Sequence, residues 1–146
     1  MENLSSQKNQ GFSLMELIVV IVILGVIAGF ALPNYRQSIQ QSHERDMDNQ
    51  LKALHAVSLL YNTQNNGAFY AGTLNDLTAI NTQFGINLIT NDNTTYSYTG
   101  AANNFTANAT WPNFTIQITN LPISSTAVPA NPCCSTRNCS VIPNCP

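Results

Sequence analysis

Residues 17–32 read LIVVIVILGVIAGFAL, sixteen positions without one polar side chain. Extended back to Phe12, the run reaches twenty-one residues and is interrupted only by Ser13 and Glu16. About 20 apolar residues rising 1.5 Å each span a hydrocarbon core of ~30 Å. The run therefore predicts a transmembrane helix. It is too long for the apolar region of a signal peptide, and no small-x-small cleavage pattern follows it. A core helix this apolar on all sides would need a larger body around it than 146 residues provide. The rest of the chain is different in kind: only 8% of all residues are charged, against about 25% in ordinary soluble domains. After Lys52 the charges are Asp76, Asp92 and Arg137 alone. A net charge of −2 and this scarcity of cations exclude a basic nucleic-acid binder, and the 44% hydrophobic content excludes a disordered chain.

Glu16 is out of place in such a run. A carboxylate inside an apolar helix costs roughly 2.5–3.5 kcal/mol on insertion scales and usually has a partner. Arg36 is the first basic residue on its C-terminal side, far beyond two helical turns. The residues before it are Gln10-Gly11-Phe12-Ser13-Leu14-Met15, preceded by a polar leader holding Lys8 and Glu2.

The stretch GFSLMELIVVIVILGVIAGFALPNY resembles the N-terminal signature of type IV pilins and pseudopilins. The resemblance implies cleavage by a prepilin peptidase after Gly11, N-methylation of the new N-terminus at Phe12, and a role for Glu16 in assembly. It also implies a partner for Glu16: the freed amino group of Phe12 on a neighbouring subunit, an opposite charge that is strongest in a low-dielectric filament core. The leader departs from the family habit, because Lys8 is offset by Glu2 and lends little to a positive-inside orientation.

Gly25 and Gly29 form a G-x-x-x-G with Ala28 beside it. Small residues let membrane helices approach closely, and they are also common in such helices without special purpose. A sharper reading takes Gly25, Gly29 and Pro33 as a weak stretch, since each glycine costs about 1 kcal/mol of helix propensity and proline removes a backbone bond. Resemblance to pilins implies that this region can bend or unwind when a subunit leaves the bilayer.

Past Pro33 the polar segment up to Asn62 contains no glycine or proline. Ile39, Met47, Leu51, Leu54 and Tyr61, with His43 in one gap, form a helical stripe, and Ala53, Val57 and Leu60 form a second apolar line. Asp48 and Lys52 make a favourable i,i+4 pair. One helix over residues 12–61 would be roughly 75 Å long, ended by Asn65-Asn66-Gly67. His43 and His55 lack a second ligand pattern and read as surface or partly packed side chains. Residues 67–77 resemble the loop with a Leu-rich turn that follows the long helix in pilins. Three alternating stretches come next, centred on Tyr96 and Tyr98, on Phe105 to Trp111, and on Phe114 to Ile118; period two with aromatic and β-branched residues predicts half-buried strands joined by turns. The fold class is α+β, a long N-terminal helix running from membrane to extracytoplasmic space and packed on a small antiparallel sheet, which is the pilin fold. The expected divisions are a leader at 1–11, a membrane or filament-core helix at 12–33, its continuation at 34–62 and a globular head at 63–146.

Residues 121–132 read as an irregular crossing segment, and Cys133, Cys134, Cys139 and Cys145 follow in the last fourteen residues. In an oxidising space an even cysteine count means disulfides. A bridge between the neighbours Cys133 and Cys134 is disfavoured, which leaves two pairings open. Zinc is the rival, but paired C-x2-C knuckles are missing. Pilins usually close one longer loop, so four cysteines this close depart from the family pattern. Asn-x-Ser/Thr triplets at Asn93, Asn104, Asn108, Asn113 and Asn138 follow from a composition rich in Asn and Thr.

No phosphate loop, catalytic triad context or metal-protease helix is present in the sequence, and no cofactor or metal is expected. The leading expectation is a structural pilus subunit that polymerises with its own kind. The resemblance implies as partners the prepilin peptidase, an assembly platform and its ATPase. It implies residence in the bacterial inner membrane before assembly, then in an extracellular pilus or a periplasmic pseudopilus. The rival is a pseudopilin of a type II secretion system. From another class, the chain could be a membrane-anchored binding module that never polymerises; substitution of Glu16 separates the two.

Overall fold

A computed structural model describes residues 12–90, 93–124 and 130–146. The expected leader and its cleavage point at Gly11 lie outside the described residues, as do Asp92 and residues 125–129 of the crossing segment. The chain divides into two compact units, the first ending at Ser38 and the second covering Ile39–Pro146.

The first unit is helical. Helix α1, Leu14–Gln64, begins here and passes residues 25–33 without interruption. Pro33 has no N–H, so the Gly29 carbonyl lacks its i+4 donor; one residue on, the Asn34 side chain donates to the Phe30 carbonyl. Every residue from 12 to 32 is exposed, and α1 is long and apolar enough to cross a membrane.

The second unit begins with the rest of α1, followed by strand β1 (Gly72–Leu74), helix α2 (Leu77–Phe84), β2 (Thr95–Ala101), β3 (Asn104–Trp111), β4 (Phe114–Thr119) and β5 (Cys133–Cys134). The strands form one antiparallel sheet in sequence order. The expected α+β class holds, and β2, β3 and β4 fall on the three alternating stretches. Residues 67–77 differ from expectation. Thr73 pairs with Thr99 in β1, inside the expected Leu-rich turn, and α2 begins at Leu77, the last residue of that turn, and runs over residues for which no helix was expected. Asp76 caps α2 by accepting from the Ala79 N–H at 2.8 Å, and Gly85 closes it in the left-handed region. Those caps, Asp before and Gly after an eight-residue stretch, are a legible helix signal.

The inward faces of the strands form a large–small–large pattern. Tyr98, Ala107 and Ile118 lie in one cross-strand row, and Tyr96, Ala109 and Ile116 in the next. All six are buried, together with Met47, Leu51 and Leu54 of α1. The small central residues leave a trough for the larger helix side chains, and full burial of a Leu or Ile contributes roughly 1.5–3 kcal/mol. The second apolar line does not face this core: Ala53 and Leu60 are exposed and Val57 is half-buried. Their place is taken by His55 and Ser58, both buried. His55 thus departs from the surface reading. Its Nε2 lies 3.0 Å from the Leu121 carbonyl, which satisfies the ring inside the core. Gly100 admits no side chain, because a Cβ there would run into the Tyr70 carbonyl and the Tyr98 ring.

The outward faces are chemically uniform. Across the sheet, Thr73, Thr99, Thr106 and Thr119 form one row. Ser97, Asn108 and Gln117 form the next, and Thr95, Thr110 and Thr115 the third. The Thr115 hydroxyl donates to Thr110 Oγ1 at 3.2 Å. No outward position in these rows carries a charge or an aromatic ring.

Candidate assembly site

The start of α1 is a capping box, Ser13-x-x-Glu16. Ser13 precedes the helix, and its carbonyl accepts from the N–H groups of Glu16 and Leu17 at 3.1 and 3.3 Å. Its hydroxyl accepts from the Met15 N–H at 3.3 Å, and Glu16 Oε2 reaches back to accept from the Ser13 N–H at 2.8 Å. The first N–H groups of a helix have no partner inside it, so this exchange satisfies donors that hydrocarbon could not. Glu16 also sits at the positive end of the helix dipole, where a carboxylate is stabilised by roughly 0.3–1 kcal/mol. The S-x-x-E spacing is the sequence signal for this capping by Glu16. Phe12 is 92% exposed one turn away from Glu16.

A second carboxylate organises the other end of the chain. Glu44 lies on α1 within the second unit and is fully buried. Its Oε1 accepts from the Ser140 N–H at 2.8 Å, the Ser140 hydroxyl at 3.1 Å and Gln40 Nε2 at 3.1 Å. Its Oε2 accepts from the Val141 N–H at 2.7 Å. Gln40 Nε2 also donates to the Asn138 carbonyl at 3.0 Å. Burial pushes the Glu44 carboxyl upward, but the Ser140 and Val141 backbone donors, with Gln40 and the Ser140 hydroxyl, more than offset it and hold the group below its ordinary value. Glu44 is inconspicuous in the sequence, one charge inside a polar stretch. Its signal is position, because it precedes Met47 by three residues and Leu51 by seven, on the buried stripe.

The segment that Glu44 grips is closed by disulfides. Cys133 is joined to Cys145 and Cys134 to Cys139, one of the two pairings left open by the sequence. The four thiols are consumed, which removes the zinc alternative. Among the described residues no three His, Cys, Asp or Glu gather as a metal-holding group. Cys133 and Cys134 are themselves β5, pairing with Gln117 and Ile116, and the N–H of Cys145 returns to the Cys134 carbonyl at 3.0 Å. Asn131, 2% exposed, ties the incoming chain down. Its Oδ1 accepts from the Thr119 N–H at 3.0 Å, and its Nδ2 donates to the Thr119 and Leu121 carbonyls.

His43 is partly packed, stacked on Trp111 with ring centroids 4.9 Å apart. The Asp48–Lys52 pair forms as its spacing predicts, at 2.7 Å. Gly25 and Gly29 lie within the exposed stretch of α1 with open space around them.

Residues 6–32 match the family described as the prokaryotic N-terminal methylation motif. The chain is 38% identical over 50 residues to the type IV major pilin protein PilA of Myxococcus xanthus, a match covering 34% of this chain and 23% of that protein. It is 36% identical over 59 residues to the type II secretion system core protein G of Klebsiella pneumoniae, covering 40% of this chain and 42% of that one. The core protein G of Aeromonas hydrophila is 30% identical over 63 residues, or 43% of this chain and 44% of the relative. The matches thus span less than half the length of these relatives. No solved structure matches. The N-terminal likeness to pilins and pseudopilins therefore holds.

Proposed function

We propose that the chain is a structural filament subunit that polymerises through α1, not an enzyme. The observation that carries this reading is the methylation motif at residues 6–32 heading a helix whose apolar side chains are all exposed over residues 14–32. Each large aliphatic side chain gains roughly 1.5–3 kcal/mol on leaving water, so such a surface needs lipid first and neighbouring helices later. In this reading a prepilin peptidase cuts between Gly11 and Phe12 and Phe12 is N-methylated. The Phe12 amine of one subunit then neutralises Glu16 of the next. Residues 12–33 form the filament core, 34–62 continue the helix and 63–146 form the head. The subunit resides in the inner membrane before assembly, and the driving energy comes from an assembly ATPase and its platform.

The similarity to the core protein G of two secretion systems supports a second reading, a pseudopilin in a short periplasmic filament. The methylation motif common to both readings lies in the N-terminal region, which serves pilus and pseudopilus alike. One experiment tests the shared core of the two readings. Glu16→Ala, expressed with the processing and assembly machinery, should still be cleaved and remain in the membrane yet yield no filaments. Filaments at normal yield from Glu16→Ala would overturn polymerisation through this residue. A chain that never assembles, with or without Glu16, would be an anchored module.

A further inference from the structure

Chain entropy does not choose between the two pairings that the four cysteines leave open. The observed bridges span separations of 12 and 5 residues. The exchanged set, Cys133 with Cys139 and Cys134 with Cys145, would span 6 and 11. Closure cost grows only with the logarithm of loop length, so an unfolded chain should form the two sets within a factor of about two. The choice comes from the fold. Cys133 and Cys134 are neighbours in one strand, and their side chains leave on opposite faces of the sheet. Cys134 pairs with Ile116 and lies in the core, with Cys139 packed against the same cluster. Cys133 pairs with Gln117 of the outward row, and the Sγ of its partner Cys145 lies 3.9 Å from Gln117 Oε1. One bridge thus belongs to the α1 side of the sheet and the other to the outer side.

Cys139 is kept on the inner side by α1 itself. The carbonyl before it, on Asn138, accepts from Gln40 Nε2 at 3.0 Å. The two residues after it, Ser140 and Val141, donate to Glu44, and Gln40 donates to the same carboxylate. We propose that Glu44, aided by Gln40, is the positioning residue for disulfide formation: it sets Cys139 against Cys134 and thereby leaves Cys133 to Cys145. A carboxylate that accepts from backbone N–H groups is a strong anchor, and it stands on a helix of 51 residues. Strand β5, by contrast, has two residues, and the tail meets it through the Cys134 N–H to the Pro143 carbonyl and the Cys145 N–H to the Cys134 carbonyl. So short a ladder is a weak determinant of register. For each bridge, two thiols pass two hydrogens and two electrons to a disulfide oxidant such as glutathione disulfide, which leaves as two thiols. Glu44 directs which sulfurs meet and takes no part in that exchange.

The test is reoxidation of the full chain in detergent. Reduced, urea-denatured chain would be refolded in a glutathione buffer and quenched with acid. Partial reduction, stepwise alkylation and fragmentation between residues 133 and 134 then read the pairing. Reoxidised with the urea still present, the unaltered chain should give both sets in comparable amounts; refolded, it should give the observed one. Glu44→Ala should raise the ratio of exchanged to observed pairing at least tenfold. Gln40→Ala, which keeps the carboxylate, should raise it about fivefold, as for the loss of one hydrogen bond. Leu54→Ala, which opens the core on the same helix and leaves the loop contacts in place, should keep the observed pairing. Dominance of the observed pairing in urea, or its persistence in refolded Glu44→Ala, overturns the proposal. So does an equal exchange in folded Leu54→Ala, which would make overall stability the cause. If Glu44→Ala does not refold, Gln40→Ala decides, and an unshifted ratio there overturns the proposal.

Discussion

Replacing Glu44 tests how the C-terminal loop is held. The carboxylate is fully buried and accepts from Gln40, from the Ser140 N–H and hydroxyl, and from the Val141 N–H. Glu44→Ala removes the acceptor of two backbone donors, each worth about 1–3 kcal/mol when stranded, on Ser140 and Val141, residues that are themselves exposed. Some of that returns if the loop lifts and water enters, so the net loss should be about 2–4 kcal/mol. In a unit of this size it lowers Tm by on the order of 10 °C. Glu44→Gln keeps the shape but aims an amide donor at one of the donors and loses the charge, for a loss of about 1–3 kcal/mol. Urea unfolding of the full chain in detergent, with the disulfides intact, gives the stability change. Hydrogen exchange at Ser140 and Val141 gives its location.

The pH dependence carries the sign. The folded Glu44 carboxyl lies below its ordinary value of 4.5. Its contribution is therefore complete above that ordinary value and is lost as pH falls through the lowered folded one. The unaltered chain should lose stability and loop protection over that acid window, and Glu44→Gln should lack this component. Unchanged exchange at Ser140 and Val141 in Glu44→Ala would refute the clasp. So would a Glu44→Gln acid profile matching the unaltered chain.

Three further outcomes are expected. Gly100→Ala should destabilise the head by at least about 2 kcal/mol in urea unfolding, because overpacking against the Tyr70 carbonyl has no rotamer to relieve it. Peptide mapping without reduction should recover Cys133 linked to Cys145 and Cys134 linked to Cys139; by loop length, removing the first should cost about 3 kcal/mol and the second about 2 kcal/mol. In assembled filaments, hydrogen exchange should find poor protection over residues 25–33, even though α1 is continuous there in the single chain; full protection would count against a weak stretch.

What the sequence shows plainly is periodic. The apolar run, the stripe through Met47, Leu51 and Leu54, and the alternation of β2 to β4 each repeat long enough to stand above the surrounding composition. The remainder is held by single polar contacts between distant residues. Asn131 performs for Thr119 what a paired strand residue would, and Asn81 pins Leu88 through both its amide atoms. One asparagine among so many gives no pattern to read. Strand β5 is two residues long and depends on the disulfides beside it. Helix α2 went unread: its caps Asp76 and Gly85 are its one signal, and its eight residues make too few turns for an apolar stripe to repeat.

The second apolar line failed for a physical reason that bears on Glu44. Ala53, Val57 and Leu60 share a face, but the core face of α1 also carries Glu44, His55 and Ser58, all buried. Those polar residues are inside because loops bring partners to them: Ser140 and Val141 to Glu44 and Leu121 to His55. Ser58 instead donates to the Leu54 carbonyl of its own helix. A helix facing a five-stranded sheet has room for a central apolar stripe, and beyond the sheet's edge it meets backbone, which only polar side chains can satisfy. The charge-poor head follows the same logic. Most of the charges in the second unit lie on α1, at Glu44, Arg45, Asp46, Asp48 and Lys52, while the outward sheet rows hold none. Screening at physiological salt acts over about 8 Å, so contacts made through those rows should vary little with ionic strength. Contacts made through the exposed Arg45 and Arg36 of α1 should weaken as salt rises.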